Sequence, residues 1–150
     1  MADDGLGLAA LERLRHYRFE PFVELVDGGT WGMNLLPLIE DSDRVLLLDA
    51  INVGAPPGTL VVLEHDQLPR YLSTKVSPHQ VDLRDVLALA ELRGNLSEHT
   101  VAIGLQPDLI EMSAGLTAAI ERQLDRLVGA ALSRLGEWGF STMLNGDRRA

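Results

Sequence analysis

Cysteine is missing from this 150-residue sequence. Its absence excludes disulfides, thiolate metal sites and a cysteine nucleophile, and it fits a cytoplasmic protein. Basic clusters are missing as well. Thirteen Lys and Arg stand against 22 Asp and Glu, a net charge of −9. Nucleic acid and anionic membrane surfaces are therefore poor partners. With no 18-residue apolar run and no signal-peptide pattern, we expect neither a membrane span nor export. There is no internal repeat and no low-complexity tract. No Gly-x-Ser-x-Gly elbow is found, which weakens a serine hydrolase reading, and no His-Glu-x-x-His motif. What is present is ordinary for a soluble globular protein, with 46% hydrophobic and 23% charged residues. The length fits one domain with one core over residues 1–150, and the apolar pattern lapses at about Gly139, so 139–150 are expected to fray.

Apolar spacing organises the chain. Leu6, Ala10, Leu14 and Tyr17 share one face of a first helix, with Leu11 widening it and Asp3 as its expected N-cap. Phe22–Val26 reads as a short strand ending in the tight turn Asp27-Gly28-Gly29-Thr30. Thr30 is the expected cap of a second helix on Trp31, Leu35 and Leu38 or Ile39, kinked at Pro37. Val45–Ile51 is a near-continuous apolar run, the mark of a parallel strand buried on both faces. The next connection, Asn52 to Gly58, is too short for a helical crossover. Thr59–Leu63 is thus expected to run antiparallel at a sheet edge, with His65 solvated beyond it. Leu83, Val86, Leu87 and Ala90 form one helix face, ended by Gly94 and Asn95. Thr100–Leu105 is expected as the last strand. A final helix, capped by Ser113, follows on Leu116, Ile120, Leu124, Leu127, Ala131 and Leu135.

Two positions in this frame carry chemistry. Asp49 interrupts a buried strand near its carboxyl end, where a carboxylate is costly without a partner and where open α/β sheets bind ligands. His79 stands in Ser77-Pro78-His79-Gln80, a helix entrance with Ser77 as N-cap, Pro78 in the first position and Gln80 closing a capping box. Backbone N–H groups there disfavour imidazolium and keep His79 in the form that binds a metal or accepts a proton. Read alone, His79 is a partly buried surface histidine. Asp4, at the start of the first helix, is the third member of a set that the expected topology brings to one sheet edge. Read alone it does no more than favour the helix start. Two carboxylates and a neutral imidazole suit a divalent transition metal with open positions.

The succession Asp3-Asp4-Gly5-Leu6-Gly7, Asp27-Gly28-Gly29-Thr30, Leu48-Asp49-Ala50, Lys75-Val76-Ser77-Pro78-His79-Gln80 and Gly104-Leu105-Gln106-Pro107 with Glu111 resembles the hydrogenase maturation endopeptidases over nearly the whole chain. The resemblance implies a three-layer α/β/α sandwich with a mostly parallel sheet and one antiparallel edge strand. It implies a protease that removes the C-terminal extension of a nickel-iron hydrogenase large-subunit precursor after nickel insertion. The family's nickel-recognising residues fall on Asp4, Asp49 and His79, which are also the expected catalytic residues. Asp27, Gly28, Gly29 and Thr30 are expected to line the groove for substrate. Nickel is expected to arrive with the substrate, cadmium or zinc serving as surrogates, and the protease to act as a monomer.

This sequence departs from the family in two places. The acidic pair is more often Asp-Glu, so Asp4 is one methylene shorter. Family members also begin with an apolar strand and a Gly-x-Gly-Asn turn before that pair. We therefore expect the natural protein to begin upstream, and the chain as written to leave sheet edges unpaired.

Two mechanisms are open. Either the nickel polarises the scissile carbonyl or activates water, or Asp49 or Asp4 acts as general base, as the family's aspartic-type label implies. The first is preferred, because carboxylates on separate elements need not share a proton. Two alternatives belong to other classes. One is a phosphorylatable receiver-like signalling domain with Asp49 as acceptor, in which His79 would have no task. The other is a non-cleaving docking or chaperone protein of the same fold.

Overall fold

Thr100–Leu105 (β4) is buried at every position. The computed structural model describes residues 4–72, 83–107 and 117–145. Its elements are α1 (Asp4–Leu14), β1 (Tyr17–Glu20), α2 (Gly28–Trp31), a 3-10 turn (Gly32–Leu35), α3 (Leu36–Glu40), β2 (Val45–Ala50), β3 (Leu60–Leu63), a 3-10 turn (His65–Gln67), α4 (Leu68–Leu72), α5 (Leu83–Leu92), β4, α6 (Thr117–Glu137) and β5 (Ser141–Leu144).

β4 lies between β2, parallel to it, and β3, antiparallel to it. β3 is thus an antiparallel edge strand, as expected from its short connection. Period-two alternation sends side chains to opposite faces. Leu47, Ile51, Val61, Leu63 and Ala102 meet α3, α4 and α5 on one face. Val101, Ile103 and Leu105 meet α1 and α6 on the other. The architecture is a three-layer α/β/α sandwich.

α5 and α6 follow their apolar spacing. Val86, Leu87 and Ala90 are buried, as are Leu124, Leu127, Val128, Ala131 and Leu135. Each large side chain so placed contributes about 1.5–3 kcal/mol. α5 ends where Gly94 N–H reaches the Glu91 carbonyl and Asn95 N–H the Ala90 carbonyl, a Schellman closure. The Asp3, Ser77 and Ser113 caps and Leu116 lie outside the described residues.

Several expectations need correction. The first helix stops at Leu14, and Tyr17 belongs to β1. Phe22–Val26 forms no strand. Val23 and Leu25 pack on the α1/α6 side as an alternating pattern requires, but the segment has no ladder partner among the described residues. β2 is only half-buried, whereas β4 is the doubly covered strand. Asp27, not Thr30, caps the second helix. Its carboxylate accepts from Gly29 N–H at 3.0 Å and from Thr30 Oγ at 2.7 Å. That helix is broken at Gly32 (φ 56°) into a 3-10 turn, and Pro37 sits in the first turn of α3 without kinking it. Trp31 is 43% exposed. His65 sits in a 3-10 turn, with Nε2 3.3 Å from a Glu91 carboxylate oxygen.

The expected frayed tail is wrong for residues 139–145. After Gly139, Ser141–Leu144 pairs antiparallel with β1 in a separate two-stranded sheet, with Phe19 opposite Thr142.

Candidate functional site

Asp49 sits one residue from the carboxyl end of β2, on the face that packs against α4 and α5. Its carboxylate accepts from a backbone and a side-chain donor. The Ala50 N–H donates to Oδ1 at 2.8 Å, and the Tyr71 hydroxyl donates to Oδ2 at 2.9 Å. Both of these donors are uncharged groups. A carboxylate ligand of this kind suits a hard or borderline cation.

Tyr71 reaches this point because α4 is short and tightly entered. The Gln67 side chain accepts from Glu64 N–H at 3.0 Å, Pro69 lies in the first turn of α4, and Leu68 and Tyr71 fall three residues apart on one face. Leu68 is 2% exposed and Tyr71 0%. Arg84, near the start of α5, places its guanidinium 5.5 Å from the Tyr71 ring centroid, a cation–π contact.

Backbone packing around Asp49 is close. Gly104 is its partner in the parallel ladder, and a Cβ there would overlap the Asp49 carbonyl oxygen. On the other side, a Cβ at Gly7 of α1 would overlap the Leu48 carbonyl oxygen and lie 3.4 Å from Asp49 Cα. Asp4 precedes Gly7 by three residues, a little under one helical turn. The glycine turn touches the start of α5, because a Cβ on Gly28 would lie 3.4 Å from the Leu83 side chain.

A second polar centre lies beyond the strand ends. Gln106 is 7% exposed. Its Oε1 accepts from Val53 N–H (2.8 Å) and Ala55 N–H (3.1 Å), and its Nε2 donates to Asn52 Oδ1 (2.8 Å). Its backbone takes part as well. Gly58 N–H donates to the Gln106 carbonyl and Gln106 N–H to the Thr59 carbonyl, both at 2.8 Å. One residue thus fastens the whole 52–59 loop to the end of β4.

Of the metal-site residues expected from sequence, Asp49 alone has a described side chain. Asp4 is described as the first residue of α1 and no further, and His79 lies within 73–82, outside the described residues. Among the described residues no group of three His, Asp or Glu side chains is gathered for a metal. Asp27 to Thr30 stand at the start of α2, next to α5. Glu111 and Lys75 are also outside the described residues. Sequence reading missed Tyr71, although the spacing Leu68-Pro69-x-Tyr71 after Gln67 is that of a capped helical turn.

Residues 9–134 match the sequence profile of a family described as hydrogenase maturation protease. The chain belongs to the hydrogenase maturation proteases. It is 40% identical over 145 residues to the hydrogenase expression/formation protein HoxM of Cupriavidus necator, covering 92% of this chain and 70% of that protein. It is 32% identical over 145 residues to the hydrogenase 2 maturation protease of Escherichia coli, covering 95% and 88%. In three dimensions this maturation protease is similar to the hydrogenase maturating endopeptidase HybD from Escherichia coli, with a TM-score of 0.81, 31% identity, and coverage of 97% of this chain and 91% of that one. The α/β fold is therefore shared with that endopeptidase. Among its described residues no helix is long and apolar enough to cross a membrane.

Proposed function

We propose that this protease cuts the precursor of a nickel-iron hydrogenase large subunit near its C-terminus, only after nickel is in place, with Asp4, Asp49 and His79 meeting the metal. The observation that carries the reading is Asp49. It is a carboxylate at the carboxyl end of a sandwich strand, accepting from the Ala50 N–H and the Tyr71 hydroxyl, in a chain of the maturation protease family. The start of α1 beside Asp49 supports Asp4 as a second ligand. Tyr71 and Leu83 bracket the segment that carries His79, and each has a described contact near the site. The turn Asp27-Gly28-Gly29-Thr30, set against α5, would line the groove for extended substrate.

Nickel bound there supplies a Lewis acid for the scissile carbonyl or for water. The chain's own part is to hold and orient. Asp49 and His79 anchor, Asp4 completes the anchor, and open positions remain for ligands from the substrate. A protein with this incomplete site is inert toward a precursor lacking nickel, so nickel occupancy is the specificity element. Free protein binds nickel, cadmium or zinc weakly. The absence of cysteine and of a serine elbow leaves water as the attacking group. We assign the activity to the cytoplasm and to a monomer.

The test compares nickel-loaded and nickel-free precursor under the same conditions. Selective cutting of the loaded form is expected, and its loss in His79→Ala with precursor binding retained would place His79 in the reaction. Equal cutting of both forms would refute metal gating. Cutting of neither would favour the docking-protein reading.

A further inference from the structure

We propose that Tyr71 is a positioning residue for Asp49, fixing the plane of its carboxylate before any metal arrives. This inference rests on the reading of Asp49 as a metal-facing group.

The torsion that turns an aspartate carboxylate is broad and roughly two-fold, so strand geometry alone does not set it. Two donors on different oxygens do. The Ala50 N–H comes from the same strand and fixes one oxygen locally. The Tyr71 hydroxyl comes from 22 residues away and fixes the other. A phenol has one hydrogen to give, and a carboxylate only accepts when ionised, so the direction of this bond is settled by chemistry. Tyr71 is itself immobile in the sense that matters here. Its ring is fully buried in the α3–α5 layer and carries the Arg84 guanidinium over it.

The consequence concerns binding more than folding. A ligand carboxylate held by an outer hydrogen bond is turned in one direction, and that ordering is in place before the cation enters. Arg84 extends the link to α5, whose start lies four residues after His79. Tyr71 thus ties the Asp49 strand to the helix that follows the histidine segment.

The test is calorimetric titration of the full chain with Ni²⁺, using wild type, Tyr71→Phe, Asp49→Asn and the double variant. Phenylalanine keeps the ring and its packing and removes only the donor. Tyr71→Phe is expected to weaken Ni²⁺ binding by about 10-fold, within the 10–100-fold range of lost outer-shell hydrogen bonds. The same change should add nothing in the Asp49→Asn background, where no carboxylate is left at position 49 to orient. Unchanged affinity in Tyr71→Phe, or an equal loss in both backgrounds, would overturn the proposal while leaving Asp49 as a ligand. Wild-type affinity in Asp49→Asn, or no uptake by wild type at millimolar Ni²⁺, would overturn both readings.

A spectroscopic arm covers the case in which Tyr71→Phe does not fold. The chain has two tyrosines, so 3-fluorotyrosine labelling gives two fluorine resonances, with Tyr17 as internal control. Saturation with diamagnetic Cd²⁺ should move the Tyr71 resonance in wild type. A Tyr71 resonance that stays in place at saturation overturns the proposal.

Discussion

Gly104 stands opposite Asp49 in the β2–β4 ladder, with no room between them for a side chain. A Cβ on Gly104 would overlap the Asp49 carbonyl oxygen and lie 2.7 Å from Ile51 Cγ1. The obstacle is mostly backbone, which cannot rotate away. Gly104→Ala should therefore push β4 from β2 and cost about 1–3 kcal/mol, the usual penalty of overpacking. Urea unfolding at constant m-value measures it. A loss below about 0.5 kcal/mol, the size of a neutral surface change, would show slack in the ladder.

Gln106 makes a separate prediction. Its side chain satisfies two loop N–H groups and Asn52. Gln106→Leu keeps much of the volume and removes all three bonds, at about 0.5–1.5 kcal/mol each. Hydrogen exchange at Val53 and Ala55 should accelerate far more than exchange in β4. Uniform acceleration across the domain would instead mean that Gln106 supports the core and not the loop.

Acid should act through Glu40. Arg93 Nε at 2.6 Å, then Asn95 Nδ2 at 3.1 Å, hold this carboxyl below its ordinary value of 4.5. A depressed carboxyl binds its proton more readily in the unfolded chain. The stabilisation is thus fully present above the ordinary value and is lost as pH falls through the lower folded-state value. Glu40→Gln should be less stable than wild type near neutrality, and the difference should shrink below pH 4.5. Parallel stability curves through that range would show that the contact does not contribute through charge.

The tail is testable by deletion. Removing residues 141–150 strips β1 of its ladder with β5, exposing the backbone beside Phe19, which is 6% exposed in the intact chain. With roughly four ladder bonds at a net of about 0.5 kcal/mol or more each, the loss should reach about 2 kcal/mol. Circular dichroism should meanwhile show the helix content retained. An equally stable deletion would mean that the β1–β5 ladder contributes nothing.

Local periodicity was enough for much of this protein. The faces of α5 and α6, the bounds of β4, the antiparallel edge strand and the choice of Asp49 all follow from spacing, because burial imposes a period on whichever residues it covers. The family was also readable in the sequence, since its motifs are short and ordered along the chain. Tertiary structure alone decided where pairing occurs. Phe22–Val26 has the pattern of a strand and lacks a ladder partner among the described residues. Ser141–Leu144, exposed at every position, carries no burial pattern and yet pairs with Tyr17–Glu20. A ladder needs two segments brought together, and neither segment's sequence records the other. The same holds at the site. Asp49 stood out as a charge in an apolar run, but its contact with Tyr71 exists only because α4 carries a hydroxyl 22 residues away to within 2.9 Å of it.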